Sequence, residues 1–319
     1  MTSLSKATAG SRQKTTRQAG DSAGSAATPE VSLEVFPAKD DAGLAALQAL
    51  ARRLAPFGPS FISVTYGAGG SNRERTLATI RALQQACDVP VAAHLTVVDA
   101  SREDTLRAAE TFIEHNNVNH IVALRGDPPG GDGPYQPHPQ GFANAAELVA
   151  ALRRRWPEIT ISVAAYPEVH PDSPSREADL ANLKAKFEAG ANEALTQFFF
   201  DNDLFFDFLE AARQAGVDGS IAPGIMLMPN FFQVKNFASR CKTSVPEWLE
   251  ARFAGLKGRK DDDARAMQRL LATAFATEQV LDLVSRGVKH VHLYTMNRPE
   301  QAEAVMRALG RAPAANDCA

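Results

Sequence analysis

HIVALRGDPPGG, residues 120–131, begins as a strand and ends in charge. Ile121 to Leu124 form a continuous apolar run, the pattern of a strand covered on both faces. The run stops at Arg125, Gly126 and Asp127, and a Pro/Gly turn follows. A charged pair on a glycine, where a buried strand surfaces, is where an α/β protein builds a site. Seven other runs have the same character. They are VSLEVFP (31–37), FISVTYG (61–67), VPVAAHLTV (89–97), TISVAAYP (160–167), EALTQFFF (193–200), IAPGIML (221–227) and HVHLYTMN (290–297).

Helical patterns separate these runs. The segment 41–54 carries Leu44, Leu47, Leu50 and Leu54 at helical spacing, and 73–86, 102–115, 143–155, 176–189 and 203–215 behave alike. Gly190, Gly216 and Gly287 stand just past such segments, as helix-ending glycines do. The connection between the seventh and eighth runs is long enough for extra helices, and 299–309 reads as a last one. Eight strand–helix alternations predict a (β/α)8 TIM barrel built as a single domain. A doubly wound sheet is the rival, but the first strand ends in Phe36-Pro37-Ala38 and lacks the glycine fingerprint for a dinucleotide.

The chain has 319 residues, 45% hydrophobic and 22% charged, with a net charge of -3. Such a composition is that of an ordinary globular enzyme. No basic run points to nucleic acid, and no apolar stretch is long enough for a bilayer. Cys87, Cys241 and Cys318 lack metal-ligand spacing and are odd in number, which fits a reduced, cytoplasmic protein. Residues 1–29 are rich in Ser, Thr, Ala and Gly with few acids, and read as a disordered tail, although a transit peptide shares the bias. The expected barrel spans 30–311, with a short C-terminal tail over 312–319.

A barrel of this kind gathers function at the C-terminal ends of its strands. Those ends offer Glu34; Thr65 and Tyr66 with the run Gly67-Ala68-Gly69-Gly70; His94, Thr96 and Asp99; Arg125 and Asp127; Tyr166, Glu168 and His170; Gln197 and Asp201; Asn297 and Arg298. Glu34, flanked by Leu33, Val35 and Phe36, is expected in an apolar pocket that raises its pKa and makes it a proton donor near neutral pH. The alternative is a glutamate paired with an internal cation. Arg-Gly-Asp at 125–127 reads as a site for a polar heterocycle or a phosphate, with the glycine allowing close approach of a ligand; an adhesion tripeptide or a structural ion pair are the plainer readings. The glycine run at 67–70 suits phosphate oxygens or is a plain loop. His94 is either a ligand contact or a satisfied core residue. His290 and His292 share a strand face like a metal pair, but His290 belongs at the far end of its strand, and no metal is expected.

Taken together, LEVFP, SVTYGAGGSNRERT (63–76), AHLT, HIVALRGDPP, ISVAAYPEVHP (161–171), ADLANLKAK (178–186), TQFFFD (196–201), PGIM with Asn230-Phe231, and HLYTMNR (292–298) resemble the bacterial 5,10-methylenetetrahydrofolate reductase family from about residue 31 to 310. The resemblance implies a barrel that holds FAD at its strand ends. It implies reduction of 5,10-methylenetetrahydrofolate to 5-methyltetrahydrofolate with NADH or NADPH, by ping-pong kinetics in which nicotinamide and folate use one face in turn. Glu34 is then the general acid that opens the folate's five-membered ring, and Asp127 a second catalytic residue between flavin and pterin. Gln197 contacts the pterin, Phe231 closes over either substrate, and Arg298 meets the folate. The FAD contacts implied are Thr65, Tyr66, Ala68, His94, Arg125, Gly126, Asp127, Ala145, Tyr166, His170, Asp179, Asn182 and Lys186. A homo-oligomer is implied, and the regulatory domain of eukaryotic relatives is expected to be missing. Two positions depart from the pattern: Ala185 where a basic residue is expected, and Asn144 where an aromatic is common. A metal-dependent hydrolase and a flavin-free pterin-binding methyltransferase are the rivals on the same barrel.

Overall fold

A computed structural model describes residues 28–66, 73–127 and 135–313. Most of the first tail, the glycine run, the turn after Asp127 and most of the last tail lie outside these residues. The chain runs β1 (Glu30–Val35), α1 (Asp41–Leu54), β2 (Ile62–Val64), α2 (Arg73–Ala86), β3 (Val91–Thr96), α3 (Arg102–Asn116), β4 (His120–Leu124) and α4 (Ala145–Arg155). It continues with β5 (Thr160–Ala165), α5 (Arg176–Glu188), β6 (Glu193–Thr196), α6 (Asn202–Gln214), β7 (Ser220–Ala222) and β8 (Gly224–Met226). Then come α7 (Phe231–Cys241), α8 (Glu247–Phe253), α9 (Asp262–Ser285), β9 (His290–Tyr294) and α10 (Pro299–Ala308).

All strand pairs are parallel, in the order β7-β6-β5-β4-β3-β2-β1-β9-β8. Only Pro223 separates β7 from β8. These two short strands are therefore one barrel strand, which pairs with β6 through its first half and with β9 through its second. Proline has no N–H to give to a ladder, which divides the strand, but its carbonyl still accepts from the His292 N–H at 2.9 Å. The ring thus closes through the chain itself as an eight-stranded TIM barrel.

The strands' two faces have opposite chemistry. On the helix side, Val31, Leu33 and Val35 of β1, Ile121 and Ala123 of β4, and Val291 and Leu293 of β9 are buried in one core with the helices. Burying each such aliphatic side chain is worth about 1.5–3 kcal/mol, so this layer drives assembly. On the inner side, one position over, stand Ser32 and Glu34, His120, Ser162 and Glu193, and His290 and His292. A small apolar set, Phe61, Ala92, Val122, Leu195 and Ala222, packs beside them.

The long connection before β9 holds the extra helices. Phe231, Phe253, Phe275 and their neighbours form a second core there, with Phe231 and Phe253 stacked at 4.2 Å. At the end of β9, Met296 (φ 53°) and Asn297 (φ 57°) are both left-handed. Two consecutive non-glycine residues in that region cost on the order of 1–3 kcal/mol each and persist only where the surroundings fix them.

Candidate functional site

The barrel mouth has two adjoining lobes. The first is a cavity of about 240 Å³ lined by Glu34, Thr65, His94, Leu124, Tyr166, Gln197, Phe198, Phe237, Tyr294 and Met296, among others. The second, of about 200 Å³, is lined by Arg125, Gly126, Asp127, Asn144, Ala145, Tyr166, His170, Asn182 and Lys186, among others. Leu124, Ala164 and Tyr166 belong to both.

In the first lobe, Glu34 is held between two imidazoles. Its Oε2 lies 3.2 Å from His94 Nε2 and 3.5 Å from His292 Nε2. Its backbone is fixed as well: the Glu34 carbonyl accepts from the Thr295 N–H (3.2 Å) and hydroxyl (2.7 Å). Asn297 completes the clasp, accepting from the Phe36 N–H at 2.7 Å and donating to the Phe36 carbonyl at 3.0 Å. The left-handed turn at Met296 and Asn297 is what brings these groups across to β1. Sequence reading placed Asn297 at a strand end but gave it no such task.

The electrostatics correct one expectation. Burial by itself pushes the Glu34 pKa up, but the charge of His94 and the hydrogen bonds of both imidazoles reverse this and hold it at about 2. Glu34 sits in a pocket with imidazoles, not in a purely apolar one, because β1 and β9 are neighbours in the closed ring and Ser32 pairs with His292. Burial pushes the His292 pKa down, so this ring is a neutral hydrogen-bonding group at neutral pH.

The second lobe is cationic. Lys186 is 6% exposed, and its Nζ donates to the Ala164 carbonyl at 2.8 Å. Burial lowers its pKa to about 8, partly offset by Asp179. Arg125 is paired with Asp172 at 2.7 Å rather than with Asp127, and its guanidinium lies over the Tyr135 ring at 4.6 Å. His170 packs edge-on against Tyr166 at 4.5 Å, and its backbone N–H donates to Asp179 at 3.3 Å. Burial lowers the His170 pKa and raises that of the Tyr166 phenol. Asn144 caps α4 by accepting from the Glu147 N–H at 3.0 Å, which places the positive end of α4 at Ala145 against this lobe. A capping role accounts for the departure at that position, since Asn is among the best caps and aromatics are not.

Gly126 is also required by its own fold. It has φ +85°, and a Cβ there would come within 2.6 Å of Val98 Cγ1 and 3.0 Å of Thr96 Cβ. The missing side chain makes room for the end of β3, and the residue lines the second lobe.

Several expected residues are not brought to the lobes. Tyr66 turns outward to pack edge-on on Phe112 at 6.1 Å. Phe231 is 2% exposed inside the second core. Arg298 is exposed at the start of α10 and lines neither lobe. Asp179 lines neither lobe, although it holds the His170 backbone that does. Ala68 falls outside the described residues. Phe237 was not anticipated: it is 42% exposed, stacks on Phe198 at 5.6 Å and lines the first lobe. An aromatic left exposed on an otherwise amphipathic helix is the only trace of it in the sequence.

Eight parallel strands with a clamped carboxylate at the mouth, beside a cation-lined lobe, define a (β/α)8-barrel enzyme whose mouth is partly apolar and partly cationic. Comparison with known proteins narrows that class. The family model described as methylenetetrahydrofolate reductase matches residues 20–310. The chain is 41% identical over 283 residues to the 5,10-methylenetetrahydrofolate reductase of Salmonella typhimurium, covering 89% of this chain and 91% of that protein, and the same figures hold for the Escherichia coli protein. It is 36% identical over 289 residues to methylenetetrahydrofolate reductase (NADH) 1 of Arabidopsis thaliana, covering 88% of this chain and 48% of that one. Among solved structures, Xanthomonas albilineans dihydropteroate synthase with 7,8-dihydropteroate matches at a TM-score of 0.47 and 16% identity, over 89% of this chain and 91% of that one. The chain belongs to the methylenetetrahydrofolate reductase family. Its activity is the reduction of methylenetetrahydrofolate to methyltetrahydrofolate.

Proposed function

We propose that this reductase binds FAD across the two lobes, takes electrons from NADH or NADPH, and then takes the folate at the same mouth, with Glu34 as the acid of the folate half-reaction. The observation that carries this reading is Glu34 between His94 and His292 on the wall of the first lobe. Bound there, FAD supplies two-electron transfer from nicotinamide to the folate's one-carbon group, which no side chain can perform.

The residues present fit that group. Among the described residues Lys186 is a buried cation with one protein acceptor for its three donors, so an anion beside it relieves an otherwise costly burial. Arg125, His170, Asn182 and the start of α4 at Ala145 surround the same lobe and suit a pyrophosphate. Lys186 and the helix start supply the charge that Ala185 does not. Thr65, Tyr166 and the walls from Leu124 and Phe198 offer a flat, mainly apolar slot in the first lobe for aromatic rings. Gly126 serves by keeping Arg125 and Asp127 close to β3, and Asp127 lines the second lobe shortly after Leu124, which both lobes share.

The chain's own part in folate reduction is orientation and proton delivery. The Gln197 carbonyl oxygen already accepts from the Phe198 N–H at 3.1 Å, which aims its amide NH2 at the pterin edge. Glu34 passes a proton to the folate nitrogen whose bond to the one-carbon group breaks. Because the imidazoles hold Glu34 ionised when the site is empty of substrate, it has to gain a proton before each folate reduction. Arg298 at the rim meets the folate's carboxylates. Phe237 covers the lobe as the chain stands, and Phe231 reaches it only if α7 moves.

Met267, Leu270 and Leu281 are exposed along α9, a stripe that supports a homo-oligomer. Cys87 and Cys241 are free thiols whose pKa burial raises, which supports a cytoplasmic setting. Among the described residues no helix is long and apolar enough to cross a membrane.

Anaerobic stopped-flow measurement of the two half-reactions tests the reading. Glu34→Gln is expected to slow folate reduction by roughly 10²–10⁴-fold, the usual worth of a general acid, and to leave flavin reduction by nicotinamide unchanged. Equal loss of both half-reactions, or a purified protein without flavin absorbance, overturns it.

A further inference from the structure

Behind Glu34 the inner face of the barrel holds a continuous polar chain. His292 Nε2 is 3.5 Å from Glu34, and its Nδ1 is 2.7 Å from Ser32 Oγ. Ser32 Oγ is 2.8 Å from His290 Nε2, and His290 Nδ1 is 3.2 Å from Glu193 Oε2. Glu193 also accepts from Ser162 Oγ at 2.7 Å, and Ser162 Oγ meets His120 Nε2 at 2.6 Å. His120, His290 and Glu193 line a basin of about 720 Å³ at the opposite end of the barrel from the mouth. The chain therefore runs from the mouth to solvent at the floor, through His292, which is 0% exposed.

Proton counting constrains this chain. Ser32 has a single hydroxyl proton, so it donates to one imidazole and accepts from the other. The imidazole that receives it presents N–H to its own carboxylate. The imidazole that donates to Ser32 presents a bare nitrogen to the other carboxyl group. With neutral rings, that second carboxyl group must carry a proton. The arrangement is satisfied with the proton at either end, and the two states differ only in imidazole tautomer and in the direction of the Ser32 O–H.

We propose that Glu34 and Glu193 share one proton through His292, Ser32 and His290, and that Glu34 is recharged from the barrel floor by this route. The transfer balances without an outside reagent. The Glu193 O–H bond breaks as His290 Nδ1–H forms, and His290 Nε2–H breaks as a new Ser32 O–H forms. The old Ser32 O–H breaks as His292 Nδ1–H forms, and His292 Nε2–H breaks as the Glu34 O–H forms. One proton moves from Glu193 to Glu34, and no buried ring is left charged. Glu193 then refills from water in the basin. Ser32, His290 and Glu193 are positioning and relay residues and never touch substrate. His94 and His292 face Glu34, while His120 and His290 face Glu193. Burial lowers the His292 pKa, and although burial pushes the Glu193 pKa up, the hydrogen bond and charge of His290 hold it below the usual carboxylate value, so the shared proton lies in the Glu193–His290 hydrogen bond rather than on a free carboxyl group.

Recharging matters only if Glu34 is the acid, so that half of the inference rests on the function proposed above, whereas the shared proton does not. The test uses the flavin-loaded full chain. Glu193→Gln presents an amide N–H to His290 Nδ1 and locks the chain in the direction that keeps Glu34 ionised. Its folate half-reaction is expected to slow about tenfold or more at neutral pH and to recover as pH falls, with nicotinamide oxidation unchanged. Glu193→Asp restores the rate. Ser32→Ala, a smaller change, slows the same half-reaction. Nitrogen-15 spectra of His290 and His292 should show both rings in the Nε2–H tautomer in the parent enzyme and in Glu193→Gln, and in the Nδ1–H tautomer in Glu34→Gln, whose amide N–H faces His292 Nε2. Ring signals that stay unchanged in Glu34→Gln overturn the shared proton. Altered signals there, with an unchanged folate rate and pH profile in Glu193→Gln, overturn the recharging route. If Glu34→Gln itself reduces folate normally, the acid reading fails instead, and the ring signals still judge the shared proton.

Discussion

The two lobes of the mouth bury charge in opposite ways. In the first, the Glu34 carboxylate is surrounded by partners the chain supplies, His94 and His292. In the second, the Lys186 ammonium has one carbonyl acceptor, and its pKa falls to about 8. A self-sufficient charge is one that chemistry can draw on. An undersupplied one waits for a ligand of opposite sign. The difference separates a place for reaction from a place for holding.

The sharpest way to break this comparison is to remove the undersupplied cation. Lys186→Met should weaken FAD binding about 10–100-fold, since a hydrogen bond to a charged partner is worth about 1.5–3 kcal/mol. Fluorescence titration of the apoprotein reads this directly, and with saturating FAD the folate half-reaction should be near normal. An unchanged affinity would mean that the second lobe does not hold the cofactor. Asp127→Asn, in the second lobe, should move both sides together. Folate affinity and flavin potential are expected to shift in one variant, and an unchanged potential would take Asp127 away from the ring. Phe237→Ala should raise KM for the folate a few-fold with little effect on stability. Phe231→Ala should instead lower stability by about 3–5 kcal/mol, the usual loss for a buried Phe, as read by denaturant unfolding.

The lobes also set the pH dependence, and both make stability rise with pH, in different windows. The Glu34 pKa is lowered from 4.5 to about 2 on folding. Its contribution to stability is complete above about pH 4.5 and is lost as pH falls towards 2. The Lys186 pKa is lowered from 10.5 to about 8, so between those values the unfolded chain binds the extra proton. Stability from Lys186 therefore rises with pH across that window. Unfolding of apoprotein at several pH values, against Glu34→Gln and Lys186→Met, should remove the acid limb in one and the alkaline limb in the other.

The barrel was legible because its outer layer is written locally. Runs such as Ile121–Leu124 and the leucines of α1 carry their period in a few residues, and the helix at 73–86 ends where its pattern ends. The division of the seventh strand at Pro223 was also within reach, since proline cannot serve a central ladder. The inner layer was harder to read. Glu34 and His292 are 258 positions apart, and only the register of β1 on β9 brings them together. A flanking sequence of Leu33, Val35 and Phe36 pointed to an apolar pocket, yet Leu33 and Val35 point to the other face of the strand, and Phe36 alone of the three lines the lobe with Glu34. Phe231 and Phe237 lie on the same helix, and packing against Phe253 decides which is free.

The polar lining has a consequence for how the chain reaches its native state. A growing parallel sheet packs its helices on the outer face first, because each strand–helix unit completes that contact locally. Until β8 and β9 arrive, the inner face is open to water. Ser32, Glu34, His120, Ser162 and Glu193 are all present by then and are well hydrated. A partly built sheet therefore shows a concave surface on which wettable groups stand beside the small apolar set of Phe61, Val122 and Leu195, which limits the exposed apolar area that makes intermediates aggregate. Arrival of His290 and His292 on β9 then exchanges water for the bonds to Ser32 and Glu193 in one concerted step, so that the last strand both shuts the ring and dries it.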